Sequence, residues 1–213
     1  MKKQGIYIEN TELPVIKTGT NLCVYFCVLL ILPVLLASCD MFTSRDPESP
    51  VAPRTDYTAA STPEILMDNF RNSFKDRITE NYLVCFVDSA FTSRKYSYTP
   101  SAGSVLTYPH LLYWNLQAER QYFINLINAL QSESAISLTY SNLTVNYYSD
   151  SASVSAAYSL SVPFKDESRP KYYQGSLKFT LVRDQRLQWA ISYWQDIKDQ
   201  KYPSWSELKG SLY

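Results

Sequence analysis

Four runs of alternating apolar and polar residues fill the second half of the chain and constrain its fold more than any other feature. The first run changes phase partway, which indicates a bulge, and the others alternate without interruption. Polar segments of hairpin length, at 149–151, 165–168 and 183–185, separate the runs. The sequence therefore predicts an antiparallel meander with one apolar face. The apolar positions are Ile136, Leu138, Tyr140, Leu143, Val145, Tyr147; Val154, Ala156, Tyr158, Leu160, Val162; Tyr173, Leu177, Phe179, Leu181; and Leu187, Trp189, Ile191, Tyr193.

Helical periodicity precedes these strands. Ser61 or Thr62 can cap a first helix that carries apolar residues four apart, at Leu66, Phe70 and Phe74. A short helix is expected at 79–86, with Cys85 as a buried, inert thiol, then a loop or irregular strand at 91–106 and a helix at 115–130. The predicted fold class is α+β, with N-terminal helices packed on a curved antiparallel sheet of about four to six strands.

This order of elements resembles the nuclear transport factor 2-like cone, which is shared with ketosteroid isomerase-like proteins. The resemblance covers roughly residues 62–200 and includes the segment ENYLVCFVDSAF, from Glu80 to Phe91. It implies a pocket between the concave face of the sheet and the helices, which relatives use for catalysis, for binding or for pairing of subunits. The fold alone does not choose among these uses.

The candidate pocket-lining residues are aromatic and share the apolar phase of the predicted strands: Tyr140, Tyr158, Trp189 and Tyr193. Core packing explains them equally well.

Two titratable residues are weaker candidates. Asp88 lies near the position where enzymes of the resembling family hold an acid, and it could serve as the base of an isomerase or dehydratase. A capping or turn residue is the favoured interpretation, because no partner acid, His or Lys is recognisable. His110, in TYPHLLYW, is interpreted as a loop or helix-start residue. No catalytic residue, metal ligand or cofactor is assigned.

The C-terminal segment WQDIKDQKYPSWSELKG, from Trp194 to Gly210, is similar to the ends of uncharacterised envelope lipoproteins of this layout. In those proteins a Trp-x-Asp strand end precedes a Trp-x-x-Leu-Lys-Gly turn, and the likeness brings no activity with it. Ser204 can cap a short helix containing Glu207 and Leu208. The segment is therefore predicted to be a structural latch.

A continuous apolar stretch, Leu22 to Leu36, has the length of a signal-peptide core and is short for a membrane-spanning helix. Lysines precede it, and Leu36-Ala37-Ser38-Cys39 follows, which resembles a lipobox. That motif implies that the Cys39 thiol receives a diacylglyceryl group and that cleavage occurs before it. A buried helix or single-pass anchor with an incidental Cys is the alternative. Glu9 and Glu12 depart from the usual short basic start of a signal peptide.

The predicted organisation is a lipoprotein signal peptide at 1–38, a lipidated flexible tether at 39–61 and a cone-like α+β domain with the C-terminal latch at 62–213. The tether is rich in Pro, Ser, Thr and charge. We expect palmitate and other acyl chains on Cys39 to hold the protein on a membrane of the bacterial cell envelope. The outer membrane, at its periplasmic or surface face, is favoured over the inner membrane.

Composition limits the partners. The 20 basic and 20 acidic residues cancel, and no run of Lys or Arg could neutralise successive phosphates, so nucleic acid is not expected to bind. The second face of the sheet is mostly polar, which predicts a monomer or a weak dimer. The sequence therefore favours a non-catalytic module that binds a small apolar ligand or an envelope protein; the alternative is a pocket enzyme that uses an acidic base.

Overall fold

A computed structural model describes residues 57–199 and 201–213, which belong to a compact unit spanning Ala52–Tyr213. The predicted signal peptide, the lipobox Leu36–Cys39 and most of the tether lie outside the described residues. Within the described ranges, no helix has the length and hydropathy needed to cross a membrane.

The first helix, α1, spans Pro63–Asp76 and begins as predicted. The Thr62 side chain accepts a hydrogen bond from the Ile65 N–H at 3.3 Å, and Pro63 occupies the first turn, where its missing N–H costs nothing. The helix ends at Arg77, which adopts a left-handed conformation with φ 57°. Leu66, Phe70 and Phe74 are fully buried, so the predicted apolar face is the packed one.

The chain already contacts the domain before Thr62, within the last residues of the predicted tether. Asn69 Nδ2 donates to the Thr58 carbonyl at 2.6 Å. The Trp189 N–H donates to the Ala60 carbonyl at 2.8 Å, and Ala60 is buried.

Helix α2 spans only Thr79–Leu83, shorter than the helix expected at 79–86. It ends early because the next residues pair with the sheet. The Ile191 N–H donates to the Cys85 carbonyl at 2.8 Å, and the Val87 N–H donates to the Ile191 carbonyl at 3.0 Å. Cys85 is fully buried as predicted, and burial raises the pKa of its thiol.

The segment expected to be a loop or irregular strand contains a three-residue strand, β1 (Ser97–Thr99), and the start of α3 (Ser104–Thr107). A 3₁₀ helix at Pro109–Tyr113 follows. Helix α4 spans Leu116–Asn128, and the Asn115 side chain caps it by accepting from the Ala118 N–H at 3.0 Å.

The sheet contains the four predicted strands and adds β1 at one edge, in the order β1-β5-β4-β3-β2. The strands are β2 (Ser137–Tyr147), β3 (Ser151–Ser161), β4 (Tyr172–Arg183) and β5 (Trp189–Lys198). The meander β2 to β5 is antiparallel as predicted, and β1 pairs parallel with β5. The α+β fold class is confirmed, and helix α5 (Trp205–Leu212) closes the chain.

Bulges interrupt two strands. The bulge expected in β2 is present between Ser141 and Thr144, with Asn142 at φ 54°. A second bulge, which the alternation of residues does not predict, lies in β5: Leu181 of β4 pairs with Ile191, whereas Thr180 pairs with Tyr193. The extra residue reverses the side-chain phase.

This second bulge corrects the predicted faces of β5. Simple alternation through Trp189, Ile191 and Tyr193 predicts that the next residue, Trp194, lies on the outer face, but Trp194 is fully buried, with its ring centroid 5.2 Å from that of Phe179. Tyr193, a predicted pocket-lining residue, lies instead on the outer face of the sheet, where it is half-exposed. Its hydroxyl donates to Thr99 Oγ1 at 3.0 Å.

The core lies between the helices and the inner face of the sheet, and it is unusually aromatic. Phe70 contacts four other aromatic rings of helices and strands within 5.7 Å, and Tyr82 stacks on Phe123 at 4.1 Å between ring centroids. Edge-to-face and stacked rings add packing energy beyond their buried area.

Candidate functional site

The space that the cone fold leaves between sheet and helices is occupied by α5. Its Trp205 side chain is fully buried, with ring centroids 4.8 Å from Trp194 and 5.0 Å from Tyr158. Ser204 and Glu207 form a reciprocal capping box at the start of the helix. The segment predicted to be a latch therefore forms a helix whose buried side chains lie in the interior rather than across the surface.

A buried carboxylate, Glu119 of α4, organises one end of this interior. Its Oε2 accepts from the Tyr82 hydroxyl at 2.7 Å. Its Oε1 accepts from the Tyr96 hydroxyl at 2.5 Å, from Trp114 Nε1 at 2.9 Å and from Lys209 Nζ. Burial, and then the Glu119 charge, raise the pKa of both tyrosines well above the usual value, so they remain donors.

Lys209 of α5 is the buried cation that neutralises Glu119. Both side chains are fully buried. The Lys209 ammonium also lies 3.5 Å from the Trp194 ring centroid and 3.9 Å from that of Tyr98, so ring faces supply part of the environment that water would otherwise provide. Burial lowers the pKa of Lys209 to about 8, and the Glu119 charge opposes that shift.

A second buried carboxylate, Asp196 at the end of β5, ties the start of α5 to the sheet. Its Oδ1 accepts from the Tyr158 hydroxyl at 2.7 Å, and its Oδ2 accepts from the Ser206 N–H at 2.8 Å and the Ser206 hydroxyl at 2.5 Å. The Trp205 N–H in turn donates to the Tyr158 hydroxyl at 2.7 Å. The first N–H groups of α5, which have no partner inside a helix, are satisfied in this way.

The interior contacts explain the C-terminal sequence pattern. The Trp-x-Asp strand end supplies Trp194 and Asp196, and the Trp-x-x-Leu-Lys-Gly turn supplies buried residues of α5. Gly210 is needed because a Cβ there would lie 2.3 Å from Cγ of Tyr108. The C-terminal sequence pattern therefore pointed to Asp196 and Lys209. No sequence pattern pointed to Glu119.

Three of the predicted pocket-lining residues belong to the packed interior or its margin. Tyr158 is buried and hydrogen-bonded to Asp196, and Trp189 is buried below the Arg183 guanidinium, 5.3 Å from its ring centroid. The Tyr140 hydroxyl is buried, with no hydrogen-bond partner among the described residues. Together with Tyr193 on the outer face, these residues do not surround a common cavity.

Asp88 and His110 occupy ordinary structural positions. Asp88 is exposed, and its Oδ1 accepts from the Ala90 N–H at 2.9 Å, which is the turn geometry that the favoured interpretation expected. His110 lies in the 3₁₀ helix, with its ring 5.4 Å from that of Tyr213. Within the described part of the chain, no group of three or more His, Cys, Asp or Glu side chains is arranged to hold a metal ion.

A surface groove of about 490 Å³ lies between α2 and the start of α4. Its floor is apolar and includes Leu83, Val87 and Leu116. A shallower groove of about 340 Å³ shares Val87 and Leu116 with it, so the two form one continuous depression, hereafter the α2–α4 groove. Charged residues stand on its rim: Glu80, Asp88, Arg94, Lys95, Arg120 and Arg186.

Comparison with known proteins concerns the fold. No protein-family model matches the sequence, and no curated protein is significantly similar to it. Among solved structures, a protein named "putative scytalone dehydratase" from Novosphingobium aromaticivorans superposes with a TM-score of 0.50 at 15% identity, covering 64% of this chain and 81% of that one. The fold is the nuclear transport factor 2-like cone.

Two other similar structures are a nuclear transport factor 2-like superfamily protein from Salmonella enterica serovar Typhimurium and a nuclear transport factor 2-like protein of unknown function from Pseudomonas putida. The first has a TM-score of 0.47 at 10% identity, covering 65% of this chain and 87% of that one. The second has a TM-score of 0.46 at 13% identity, covering 65% and 86%.

Proposed function

We propose that this chain is a lipid-anchored protein of the bacterial envelope whose cone domain is a non-catalytic binding module. The anchor half of the proposal rests on the apolar segment followed by Leu36-Ala37-Ser38-Cys39. The proposal that the cone domain is a non-catalytic binding module rests on one observation above all: α5 occupies the cone, and Lys209 pairs with Glu119 inside it.

The hydrogen bonding of the interior acids supports a structural role for them. A general base needs a carboxylate oxygen that can reach a substrate proton. Both oxygens of Glu119 accept from protein donors, and so do both oxygens of Asp196. A substrate would have to displace α5 and break these bonds, and each bond to a charged group contributes about 1.5–3 kcal/mol.

The exposed position of Asp88 argues in the same direction. Its carboxylate accepts from the Ala90 N–H and stabilises a turn at the rim of the α2–α4 groove, where it is exposed to solvent. We therefore place ligand or partner binding in the α2–α4 groove, where an apolar floor with a charged rim suits an amphipathic peptide or a small apolar molecule.

The anchor is tested by replacing Cys39 in the full chain, expressed in a bacterium that processes lipoproteins and fed radioactive palmitate. Cys39→Ala should abolish labelling and leave the larger, uncleaved precursor, because only a thiol at this position can form the thioether. Cys27→Ala, a change inside the same apolar stretch, is the matched control and should still be labelled. Labelling and processing of Cys39→Ala at the normal size would overturn the proposal.

A further inference from the structure

The two edges of the sheet are unequal. β1 is three residues long, whereas β2 at the opposite edge is eleven residues long. Among the described residues, no backbone hydrogen bond reaches the outer side of β2. A long edge strand with free N–H and C=O groups is a template for another strand.

The sequence of β2 lacks the features that usually protect an edge. Between Ser134 and Ser149 there is no charged residue, no Pro and no Gly. Proteins commonly keep exposed edges unpaired with Lys, Pro or inward-pointing charges, and here only the bulge at 141–144 serves that purpose. The four residues after the bulge, Thr144–Tyr147, pair regularly with β3.

Apolar side chains are left partly uncovered on this half of β2. Val145 and Tyr147 pair with the buried residues Val154 and Ala152, so they continue the inner face of the sheet. Leu143 precedes them in the same alternation. Tyr147 is nevertheless 57% exposed and Leu143 is 39% exposed, although the Tyr147 hydroxyl donates to Glu64 Oε1 in the first turn of α1 at 2.7 Å.

We propose that two copies of this chain pair antiparallel through β2, about a two-fold axis that passes through Val145. Such an axis puts the inner faces of both sheets on the same side, because directly opposite residues in an antiparallel pair share a face. Val145 then faces Val145 of the second copy, and Leu143 faces Tyr147. The uncovered apolar residues of both copies form one continuous strip, in which a Val–Val pair lies between two Leu–Tyr pairs.

The charge pattern favours a second copy as the occupant. In a two-fold pairing each surface meets itself, so a charged residue near the axis would face its own like charge. The uncharged span of β2 on both sides of Val145 avoids this, and Asp150, the first charged residue after the strand in sequence, lies beyond its end. If the partner were a basic or acidic peptide, we would instead expect residues of the opposite charge along the edge of β2. The pairing does not depend on the proposed anchor.

Disulfide trapping in the full chain tests the geometry. Val145→Cys should form a dimer on mild oxidation that disappears on reduction, because the opposed Cα atoms would lie about 4.5–5.5 Å apart, within the range that a disulfide spans. Ser97→Cys, exposed at the other edge, is the matched control and should give several-fold less dimer. Both cysteine variants are also tested in a chain that carries Cys39→Ala, so that lipid attachment cannot account for the crosslinking.

A second variant tests the interaction without a crosslink. Leu143→Lys should raise the dimer dissociation constant about tenfold by sedimentation of the purified full chain, since the change occurs twice in the interface. Leu106→Lys, at a leucine that is 88% exposed elsewhere, should leave the constant unchanged. Three results would each overturn the proposal. The first is equal crosslinking of Ser97→Cys and Val145→Cys, and the second is crosslinking of Val145→Cys only to a different protein. The third is sedimentation of the unsubstituted chain as a monomer at about 100 µM.

Discussion

The closed interior around α5 and the open α2–α4 groove use polar groups in opposite ways. In the interior, Glu119 and Asp196 are buried and each accepts several hydrogen bonds, and the buried Lys209 pairs with Glu119 and lies against aromatic rings. At the groove, the Arg120–Glu80 pair spans 3.6 Å with both side chains more than half exposed. Buried polar groups are costly unless they are paired, whereas exposed ones exchange freely with water. The first region is therefore built for stability, and the second is free to bind.

The largest expected effect comes from removing the buried cation. Lys209→Met leaves the Glu119 carboxylate buried without its counter-charge, and we expect a loss of about 3–5 kcal/mol in the free energy of unfolding, measured with urea. Lys198→Met is the matched control, because its pair with Glu207 is partly exposed, and it should cost less than about 1 kcal/mol. A loss below about 1 kcal/mol for Lys209→Met would remove the distinction between the two regions.

The pH dependence of stability gives a smaller effect in the interior. The pKa of Lys209 is about 8 in the folded protein, below its ordinary value of 10.5, so the unfolded chain binds more protons between these values. Stability should therefore rise with pH from about 8 towards 10, by at most about 1.4 kcal/mol per pH unit. The double variant Glu119→Gln, Lys209→Met has neither titrating group and should lack this rise.

The comparison of urea unfolding curves from pH 7.5 to 9.5 isolates the pair, because the tyrosines whose pKa also depends on the Glu119 charge ionise above this range. The buried tyrosines set the upper limit of the window. Burial raises their pKa well above 10, so stability falls again once the unfolded tyrosines ionise near pH 10. A wild-type curve parallel to that of the double variant would show that Lys209 keeps an ordinary pKa.

The smallest expected change in stability is at the groove. Leu116→Glu adds an acid to the first turn of α4, where the helix dipole favours it, but removes a half-buried side chain that packs against the core, so stability should fall by about 1 kcal/mol or less. Binding of the dye 1-anilinonaphthalene-8-sulfonate to the native protein should nevertheless decrease several-fold, because the charge enters the apolar floor. Leu106→Glu should leave dye binding intact, and equal loss in both variants would place the dye elsewhere.

Local periodicity predicted most of the elements because it reports which face of each element is buried. The repeat at Leu66, Phe70 and Phe74 located α1, and strict alternation located β3 and β4. The same reasoning failed for β5, where alternation through Tyr193 put Trp194 on the wrong face. A single extra residue reverses the phase there, and its insertion is specified by pairing with β4 rather than by β5 itself.

The candidate site was the least predictable part. Aromatic residues in phase suggested a pocket, but Tyr158 and Trp189 are packed and no shared cavity joins the four candidates. Glu119 looks like any charged residue of an amphipathic helix, since its partner Lys209 lies 90 positions away in sequence. Only the C-terminal pattern around Trp194 and Trp205 pointed to this region, and it did so without indicating what the residues contact.

The sequence by itself determined the α+β class, the antiparallel meander, the cap at Ser204 and the prediction of a lipidated Cys39, because each depends on residues close together in the chain. The tertiary structure decided that the cone is filled by α5, that Glu119 and Lys209 meet, and that β2 forms a bare edge. Burial of a charge and exposure of a strand edge depend on which distant segments of the chain pack nearby. The order of residues within one helix or strand does not specify those segments.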